Sequence, residues 1–275
     1  MKRYWFLIIG SFLIIGGIIY ISINHRRWIR KLYLNLITKN LAYNSVQLNG
    51  SLNYRLYVPK NVNSEKLPLI LYLHGGGQKG SDNRKQLDFI FNGFSSSVNQ
   101  KKYPSYVLAP QCPPGKEWVN RANKNVPFTH YLQDETDESL EMQLIIELIK
   151  NVFNQYPIDA DRIYVCGFSM GGTGAWDILT RYPNVFAGAA ILSGVSDTTK
   201  AHFISHIPIW AFSGENDSIA PAILNEDMCK TINAYKGNCK FTKFENIGHD
   251  CVSTTFEHTD LIKWLFSQKK ENRYK

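Results

Sequence analysis

The chain has 275 residues, a hydrophobic content of 44% and a formal charge of +8 at pH 7. This length allows one large α/β domain, and the hydrophobic content is sufficient for a packed core, which excludes a disordered chain. Residues 1–31 and 266–275 hold ten of the 31 Lys and Arg residues against one acid, so residues 32–265 are close to neutral. A nucleic-acid partner is not expected, because such a partner requires basic residues clustered on the domain itself.

The first segment of the chain is apolar and flanked by basic residues. Trp5–Ile23 contains 19 residues without a charge, preceded by Lys2 and Arg3 and followed by HRRWIRK. As a helix it would span roughly 28 Å, close to the hydrocarbon thickness of a bilayer. We therefore predict an N-terminal transmembrane helix that anchors the protein in the membrane.

Two alternatives to this anchor are a cleaved signal peptide, which would give a secreted protein, and a buried core helix. No A-x-A-like cleavage site follows the apolar run. The flanking charges are nearly balanced, so they do not decide which side of the membrane the rest of the chain occupies. An extracytoplasmic domain is one of the two orientations.

The remaining chain divides into a linker (32–44), one domain (45–268) and a basic tail (269–275). Polarity alternates around Asn49-Gly50 in SVQLNGSLNYRLYVP, which predicts a hairpin. Apolar runs and helical spacing predict the next elements. These are strands at 67–74 and 103–110, a helix starting at Ser81 or Asp82, and a helix from Thr136 or Asp137 that stops before Pro157.

Strands and helices then alternate to the end of the domain. Strands are predicted at DRIYVCG, VFAGAAILSG, IPIWAFSG and CKFTKFEN, and helices at 170–182, 221–235 and 255–268. This order indicates a mainly parallel central sheet with helices on both faces. Residues 111–136 form the longest irregular stretch, and such loops commonly lie over the strand ends where ligands bind.

A serine surrounded by glycines follows one predicted strand directly. In VCGFSMGG, Ser169 lies between Gly167 and Gly171, before a predicted helix. A sharp strand-to-helix turn exposes such a serine and leaves no room for side chains two residues away on either side. The motif alone is common by chance, and its position between a strand and a helix is what favours a nucleophile over an ordinary glycine-rich turn.

A serine hydroxyl requires a base, and the base requires an acid that orients it. His249 lies between the last strand and the last helix, and Asp217 follows the strand IPIWAFSG, so both are expected at the carboxyl edge of the sheet. Asp197 is the alternative acid, and Asp250 is a poorer one because it adjoins the histidine. The other candidate feature is the His74-Gly75-Gly76-Gly77 loop, which would supply an oxyanion-hole N–H from Gly76, or from Gly77 as runner-up, beside that of Met170.

Taken together, these stretches resemble the α/β-hydrolase superfamily, and most closely its single-domain carboxylesterase and feruloyl-esterase branch, often labelled a predicted peptidase of the prolyl-oligopeptidase class. The matching segments include LYLHGGGQKGSDN, VLAPQCPPGKEWV, GFSMGG, AFSGENDSIAP and FENIGHD, and cover about residues 45–268. The resemblance implies an α/β-hydrolase fold with Ser169, Asp217 and His249 as its triad. The sequence departs from similar proteins in lacking a Trp after His249 and in carrying Ser213 where relatives often have His.

The expected activity is hydrolysis of a small carboxylic ester through an acyl-enzyme, with neither a metal nor an organic cofactor. Gly75, Gly77, Trp118 and Trp176 are the expected substrate-binding residues. A peptidase, thioesterase or acyltransferase on the same fold is the alternative activity, and a non-catalytic binding module is a third interpretation. The oligomeric state is left open. Five cysteines are present, of which Cys229 and Cys239 could form a disulfide or remain as free thiols.

Overall fold

The structure is a computed structural model, and it describes residue 29, residues 32–60 and residues 65–270. The predicted anchor, Trp5–Ile23, lies outside these residues and stays a prediction, as does most of the basic tail. Within the described ranges no helix is both long enough and apolar enough to cross a membrane. The chain divides after Thr38 into two units, and the second, Lys39–Lys275, carries the features described below.

The second unit is built on one sheet whose strands order as β1-β2-β4-β3-β5-β6-β7-β8. β2 and β4 pair antiparallel, and the strands from β4 to β8 pair parallel with their neighbours. The strands are β1 (Thr38–Ser45), β2 (Gly50–Tyr57), β3 (Leu67–Leu73), β4 (Tyr106–Pro110), β5 (Ile158–Phe168), β6 (Gly188–Leu192), β7 (Ile209–Gly214) and β8 (Cys239–Phe244).

Helices connect most of the parallel strands, and further helices follow the last strand. They are α1 (Phe89–Ser95), α2 (Ser97–Lys102), α3 (Leu140–Gln155), α4 (Met170–Arg181), α5 (Ile223–Ala234), α6 (Val252–His258) and α7 (Leu261–Phe266), with short 3₁₀ turns at Gly76–Gln78, Gln133–Glu135 and Thr198–Ile204. Every residue of β3, β4, β6 and β7 is buried, as expected for strands covered on both faces. The mainly parallel sheet predicted from the sequence is therefore confirmed.

The first strand begins earlier than predicted. β1 starts at Thr38, within the range assigned to the linker, and the hairpin turn occupies residues 46–49. Asn49 has a φ of 47°, which asparagine tolerates better than most residues, and its N–H closes the turn onto the Val46 carbonyl. The hairpin is therefore confirmed, but residues 46–48, expected in its first strand, belong to the turn, and Gly50 already belongs to β2. The sequence of β1, TKNLAYNS, has no clear alternation of apolar and polar residues, because most of its positions are exposed or half-buried. For this reason the strand was not predicted from the pattern.

The helix predicted at Ser81 or Asp82 is wrong in position. The Asp82 carboxylate instead accepts N–H hydrogen bonds from Arg84 and Lys85 and forms a tight turn. The helix α1 starts only after Asp88, whose carboxylate accepts the N–H groups of Ile90 and Phe91. An aspartate favours a turn and a helix N-cap for the same reason, so the two could not be separated by residue type.

The boundaries of two other helices also differ from the prediction. α3 starts at Leu140 because the Ser139 hydroxyl caps the Met142 N–H, while the preceding residues 133–135 form a 3₁₀ turn. The last predicted helix, 255–268, is two helices separated by Thr259 and Asp260, and Thr259 has an extended backbone. The helices at 170–182 and 221–235 are confirmed within two residues at each end.

A disulfide joins Cys229 on α5 to Cys239 at the start of β8. The Asn233 side chain holds the same strand end, donating to the Cys239 carbonyl and accepting its N–H, both at 2.9 Å. The other three cysteines, Cys112, Cys166 and Cys251, are free and buried. The alternative that the sequence left open for Cys229 and Cys239 is thus resolved in favour of the disulfide.

Candidate active site

Ser169 lies at the turn between β5 and α4. Its backbone has a φ of 55° and a ψ of −116°, a strained conformation for a residue with a side chain. Its hydroxyl forms no cap to the following helix, although serine is a preferred N-cap residue. The hydroxyl is therefore available for another partner, while its backbone N–H donates to the Leu192 carbonyl at 2.9 Å.

The glycines on either side of this serine are required by close backbone contacts. A Cβ atom at position 167 would overlap the carbonyl of Gly171, and one at position 171 would overlap the carbonyl of Leu73. Both obstacles are backbone atoms, so no side-chain rearrangement could relieve them. The spacing of the two glycines around Ser169 thus follows from how tightly α4 turns back onto β5 and β3.

His249 comes from the loop between β8 and α6. Its Nε2 lies 2.7 Å from Ser169 Oγ, and its ring packs against that of Phe168 with centroids 5.3 Å apart. The histidine side chain is 18% exposed, so one edge remains open to solvent. The strand order explains the encounter, because parallel strands bring their carboxyl-terminal loops to one edge of the sheet.

Asp217 comes from the loop after β7 and lies on the other side of the histidine. Its Oδ2 and Oδ1 are 2.8 and 3.0 Å from His249 Nδ1, and Oδ1 also accepts the N–H groups of Ala220 and Ile219. Burial alone would raise the pKa of Asp217. The hydrogen bonds from His249, Ala220 and Ile219 outweigh it and hold this pKa below its ordinary value, which keeps the carboxylate ionised.

The two alternative acids have other contacts. Asp197 Oδ1 accepts the Thr199 N–H and its Oδ2 accepts the Gln133 N–H, so this carboxylate holds a turn and the irregular segment. Asp250 Oδ1 accepts the Val252 N–H at the start of α6. Of the three candidate aspartates, Asp217 is the one that contacts the histidine in the structure.

The predicted oxyanion loop is held by His74, which is fully buried. His74 Nε2 accepts the Cys112 N–H at 2.9 Å, so Nδ1 carries the ring proton and donates to the Gly75 carbonyl at 2.7 Å. Burial lowers the pKa of His74 to about 4, against the opposing effect of the Gly75 hydrogen bond, with Lys79 lowering it further. This histidine is therefore a neutral support for the loop.

The loop lies beside the serine turn. A Cβ atom at Gly75 would be 3.2 Å from a ring carbon of Phe168, the residue before Ser169. In the described part of the chain the N–H groups of Gly76 and Met170 have no hydrogen-bond acceptor, and each begins a helical turn. A Cβ at Gly76 or Gly77 would meet nothing within 4 Å, so space is open next to this loop.

Trp118 and Trp176 do not line this space. Trp118 is 0% exposed and donates from Nε1 to the His74 carbonyl at 3.0 Å, and Trp176 is 1% exposed and donates to Asn225 Oδ1 at 2.8 Å. The substrate-binding role predicted for them is therefore corrected to a supporting one. Their indole N–H groups explain why tryptophan is suited to both places, since each ring is buried and its polar atom is satisfied.

Sequence reasoning missed two residues that support the site. Ser193, directly after β6, donates from Oγ to the backbone carbonyl of His249 at 2.9 Å. Phe128, in the irregular segment 111–136, donates its N–H to the Ile219 carbonyl beside Asp217. No spacing signal marks either residue, although the prediction that segment 111–136 lies near the strand ends does identify the region of Phe128.

Comparisons with known proteins place the chain among esterases. The family model described as Esterase PHB depolymerase matches residues 52–238. A poly(3-hydroxyalkanoate) depolymerase C of Paucimonas lemoignei is 30% identical over 146 residues, 53% of this chain and 32% of that protein. A probable carboxylesterase of Oryza sativa subsp. japonica is 24% identical, and the match covers 71% of this chain and 86% of that protein.

Among solved structures, a thermostable esterase superimposes with a TM-score of 0.78 at 31% identity, covering 85% of this chain and 64% of that one. The chain thus spans about a third of the depolymerase and about two thirds of the esterase. The α/β-hydrolase-like fold expected from the sequence is confirmed. The match over residues 52–238 identifies the chain as a member of the Esterase PHB depolymerase family.

Proposed function

We propose that this protein hydrolyses carboxylic esters through Ser169, His249 and Asp217. Ser169 Oγ attacks the ester carbonyl while His249 Nε2 takes up its proton. His249 then gives that proton to the leaving alcohol, and a water molecule, activated by the same nitrogen, resolves the acyl-enzyme. Asp217 keeps the imidazole in the tautomer that presents an unprotonated Nε2 to the serine.

One observation carries this proposal, namely the continuous contact from Ser169 Oγ through the two ring nitrogens of His249 to the Asp217 carboxylate, at 2.7 and 2.8 Å. Three side chains from separate loops meet here, and the serine is held in a strained backbone conformation. A structural hydrogen-bond cluster would not require that strain. Strain of this kind concentrates at sites where a reactive group has to be presented in one geometry.

The N–H groups of Met170 and Gly76 are the proposed donors to the oxyanion. Their lack of an acceptor in the described part of the chain supports this role, because buried or half-buried N–H groups are ordinarily paired. Preorganised donors stabilise the charge that develops on the carbonyl oxygen in the transition state. The helix dipole of α4 adds a partial positive charge at the same place.

The test is turnover of 4-nitrophenyl acetate by the wild type and by Ser169→Ala. Removing the nucleophile is expected to lower kcat by more than about 10³-fold, as with triads elsewhere. Ser196→Ala is the control, because it removes a serine hydroxyl that contacts the Leu224 carbonyl instead of His249. Unchanged turnover in Ser169→Ala would contradict the proposal.

The class of bond remains part of the proposal, since a peptidase, thioesterase or acyltransferase would use the same three residues. The names of the relatives, a poly(3-hydroxyalkanoate) depolymerase and a probable carboxylesterase, favour an ester bond. Ester, thioester and peptide substrates with a common acyl group, assayed side by side, separate these activities. The ester is expected to give the largest kcat/KM, and a larger value for the peptide or the thioester would contradict it.

A further inference from the structure

The side chain of Arg121, in the irregular segment 111–136, has no hydrogen-bond acceptor among the described residues. Arg121 is 8% exposed, and its guanidinium lies over the Phe128 ring, 4.4 Å from the centroid. Within the described ranges its side chain forms neither a hydrogen bond nor an ion pair. None of its nitrogens is both fully buried and without a partner, so the guanidinium reaches solvent and its five N–H donors are open to an acceptor that a bound molecule brings.

The two groups that favour the charged form of Arg121 already bind other partners. Burial lowers the pKa of Arg121, and Glu117 and Tyr131 act in the opposite direction. The Glu117 carboxylate is bound by Lys79 Nζ at 2.8 Å, and the Tyr131 hydroxyl donates to Asp177. Neither group therefore provides the paired oxygens that a guanidinium requires.

Contacts connect Arg121 to the loop that carries Asp217. Phe128, under the guanidinium, donates its N–H to the Ile219 carbonyl at 2.8 Å, and Ile219 N–H donates to Asp217 Oδ1. The Phe128 ring also packs on the apolar cluster of Val195, Ala220 and Leu224. Ala220 N–H donates to Asp217 as well, so one member of this cluster shares a loop with the proposed catalytic acid.

The same segment is attached to the oxyanion loop on its other side. Trp118, three residues before Arg121, donates to the His74 carbonyl and packs its ring edge-on to the His74 ring at 5.1 Å. Arg121 thus belongs to a segment fixed at one end to the glycine loop and at the other to the Asp217 loop. This attachment to both loops is the ground for assigning Arg121 to the part of a substrate remote from the reacting carbonyl.

We propose that Arg121 binds a carboxylate of the substrate, so that the enzyme prefers esters whose acyl or alcohol part carries a free carboxylate. This inference rests on the proposed esterase function. The planar guanidinium matches a carboxylate with two parallel hydrogen bonds, and a partly desolvated pair of this kind is stronger than an exposed one. The aromatic face of Phe128 holds the fork in place before the substrate arrives.

The first test compares charged and neutral esters of nearly the same shape. One pair is 4-acetoxybenzoate and its methyl ester, with the carboxylate on the alcohol side, and the other is mono-4-nitrophenyl glutarate and 4-nitrophenyl pentanoate, with it on the acyl side. Arg121→Gln is expected to lower the ratio of anionic to neutral kcat/KM by about 10- to 100-fold for one pair, mainly through KM. The pair that responds identifies the side of the ester that Arg121 contacts.

Arg162→Gln is the matched control, because Arg162 pairs with Asp159 near the start of β5, at the opposite edge of the sheet from Ser169. It is expected to leave both ratios unchanged. Arg121→Lys is expected to recover part of the preference, since lysine keeps the charge and loses the fork. Unchanged ratios in Arg121→Gln, or ratios lowered equally by Arg162→Gln, would overturn the inference.

The second test does not depend on turnover. Calorimetric titration of Ser169→Ala with 4-acetoxybenzoate and mono-4-nitrophenyl glutarate is expected to show binding that weakens about 10-fold or more when Arg121→Gln is added. Binding of neither anion, or equal binding by the single and double variants, would overturn the inference even if the wild type hydrolyses esters. Absence of ester turnover with Arg121-dependent binding would instead contradict the proposed function and leave the carboxylate site standing.

Discussion

The Ser193 hydroxyl donates a hydrogen bond to the backbone carbonyl of His249, with 2.9 Å between the two oxygens. Ser193 follows β6, has a φ of 48° and is 1% exposed. The Cys251 N–H donates to the same carbonyl at 3.1 Å. The loop that carries the imidazole is therefore anchored to the sheet through a residue whose hydroxyl forms no hydrogen bond with Ser169.

Replacing Ser193 with alanine tests whether this anchor positions the imidazole. The net contribution of one hydrogen bond predicts a fall in kcat of about three- to tenfold, with KM changing little because substrate contacts are intact. Steady-state kinetics on 4-nitrophenyl acetate, with Ser196→Ala alongside, measure this. A fall of equal size in the Ser196 variant would indicate a general loss of packing instead.

Exchanging each candidate aspartate for asparagine tests the assignment of the acid. Asp217→Asn is expected to lower kcat by roughly 10³- to 10⁴-fold, because the amide no longer selects the productive tautomer of His249. Asp197→Asn and Asp250→Asn are expected to retain most of the activity, since these carboxylates bind Thr199, Gln133 and Val252 and form no hydrogen bond with the His249 ring. A larger loss in either of these two than in Asp217→Asn would contradict the assignment.

The pH dependence of stability should report the buried His74. Its pKa is lowered from 6.5 to about 4 in the folded chain, so between these values the unfolded chain binds a proton that the native state does not. The contribution of His74 to the free energy of unfolding therefore decreases as the pH falls from 6.5 to 4, by about 1 kcal/mol per pH unit. Urea unfolding of the wild type and His74→Gln at several pH values should show the difference between them shrinking toward pH 4. Parallel curves would contradict this account.

The disulfide should stabilise the strand that precedes the His249 loop. Cys229 and Cys239 are separated by 10 residues, and closure of a loop of that size contributes about 2–3 kcal/mol. Reduction of the wild type with dithiothreitol is expected to lower its Tm to that of Cys229→Ala, while the variant itself is unaffected by reduction. The bond is accessible to the reductant under unfolding conditions. If the Tm of the wild type did not change there, the two cysteines would not be joined.

Much of the sheet could be predicted because each central strand is a short apolar run bounded by polar or proline residues, as in LPLILYL and VCGF. Gly167 and Gly171 marked the turn around Ser169 because backbone contacts leave no other choice at those positions. Asp217 and His249 could be placed because parallel strands end at one edge. These predictions depended on local patterns that tertiary contacts did not override.

The structure differs from the sequence predictions where one residue type suits several structural roles. Asp82 and Asp88 are both good N-caps, and only the packing of Phe91 and Phe94 decides which of them starts a helix. Trp118 and Trp176 suit a pocket wall and a core equally, and the hydrogen bonds of their indole N–H groups place both in the core. Ser193 and Arg121 became significant only through partners far away in the sequence.

Labelling with a fluorophosphonate tests the central claim most directly, because only an activated serine reacts quickly with this reagent. The account predicts one adduct per chain by intact mass, located on the peptide that contains Ser169, with the labelling rate falling by at least about 10³-fold in His249→Gln. Labelling at another residue, or an unchanged rate in His249→Gln, would contradict it.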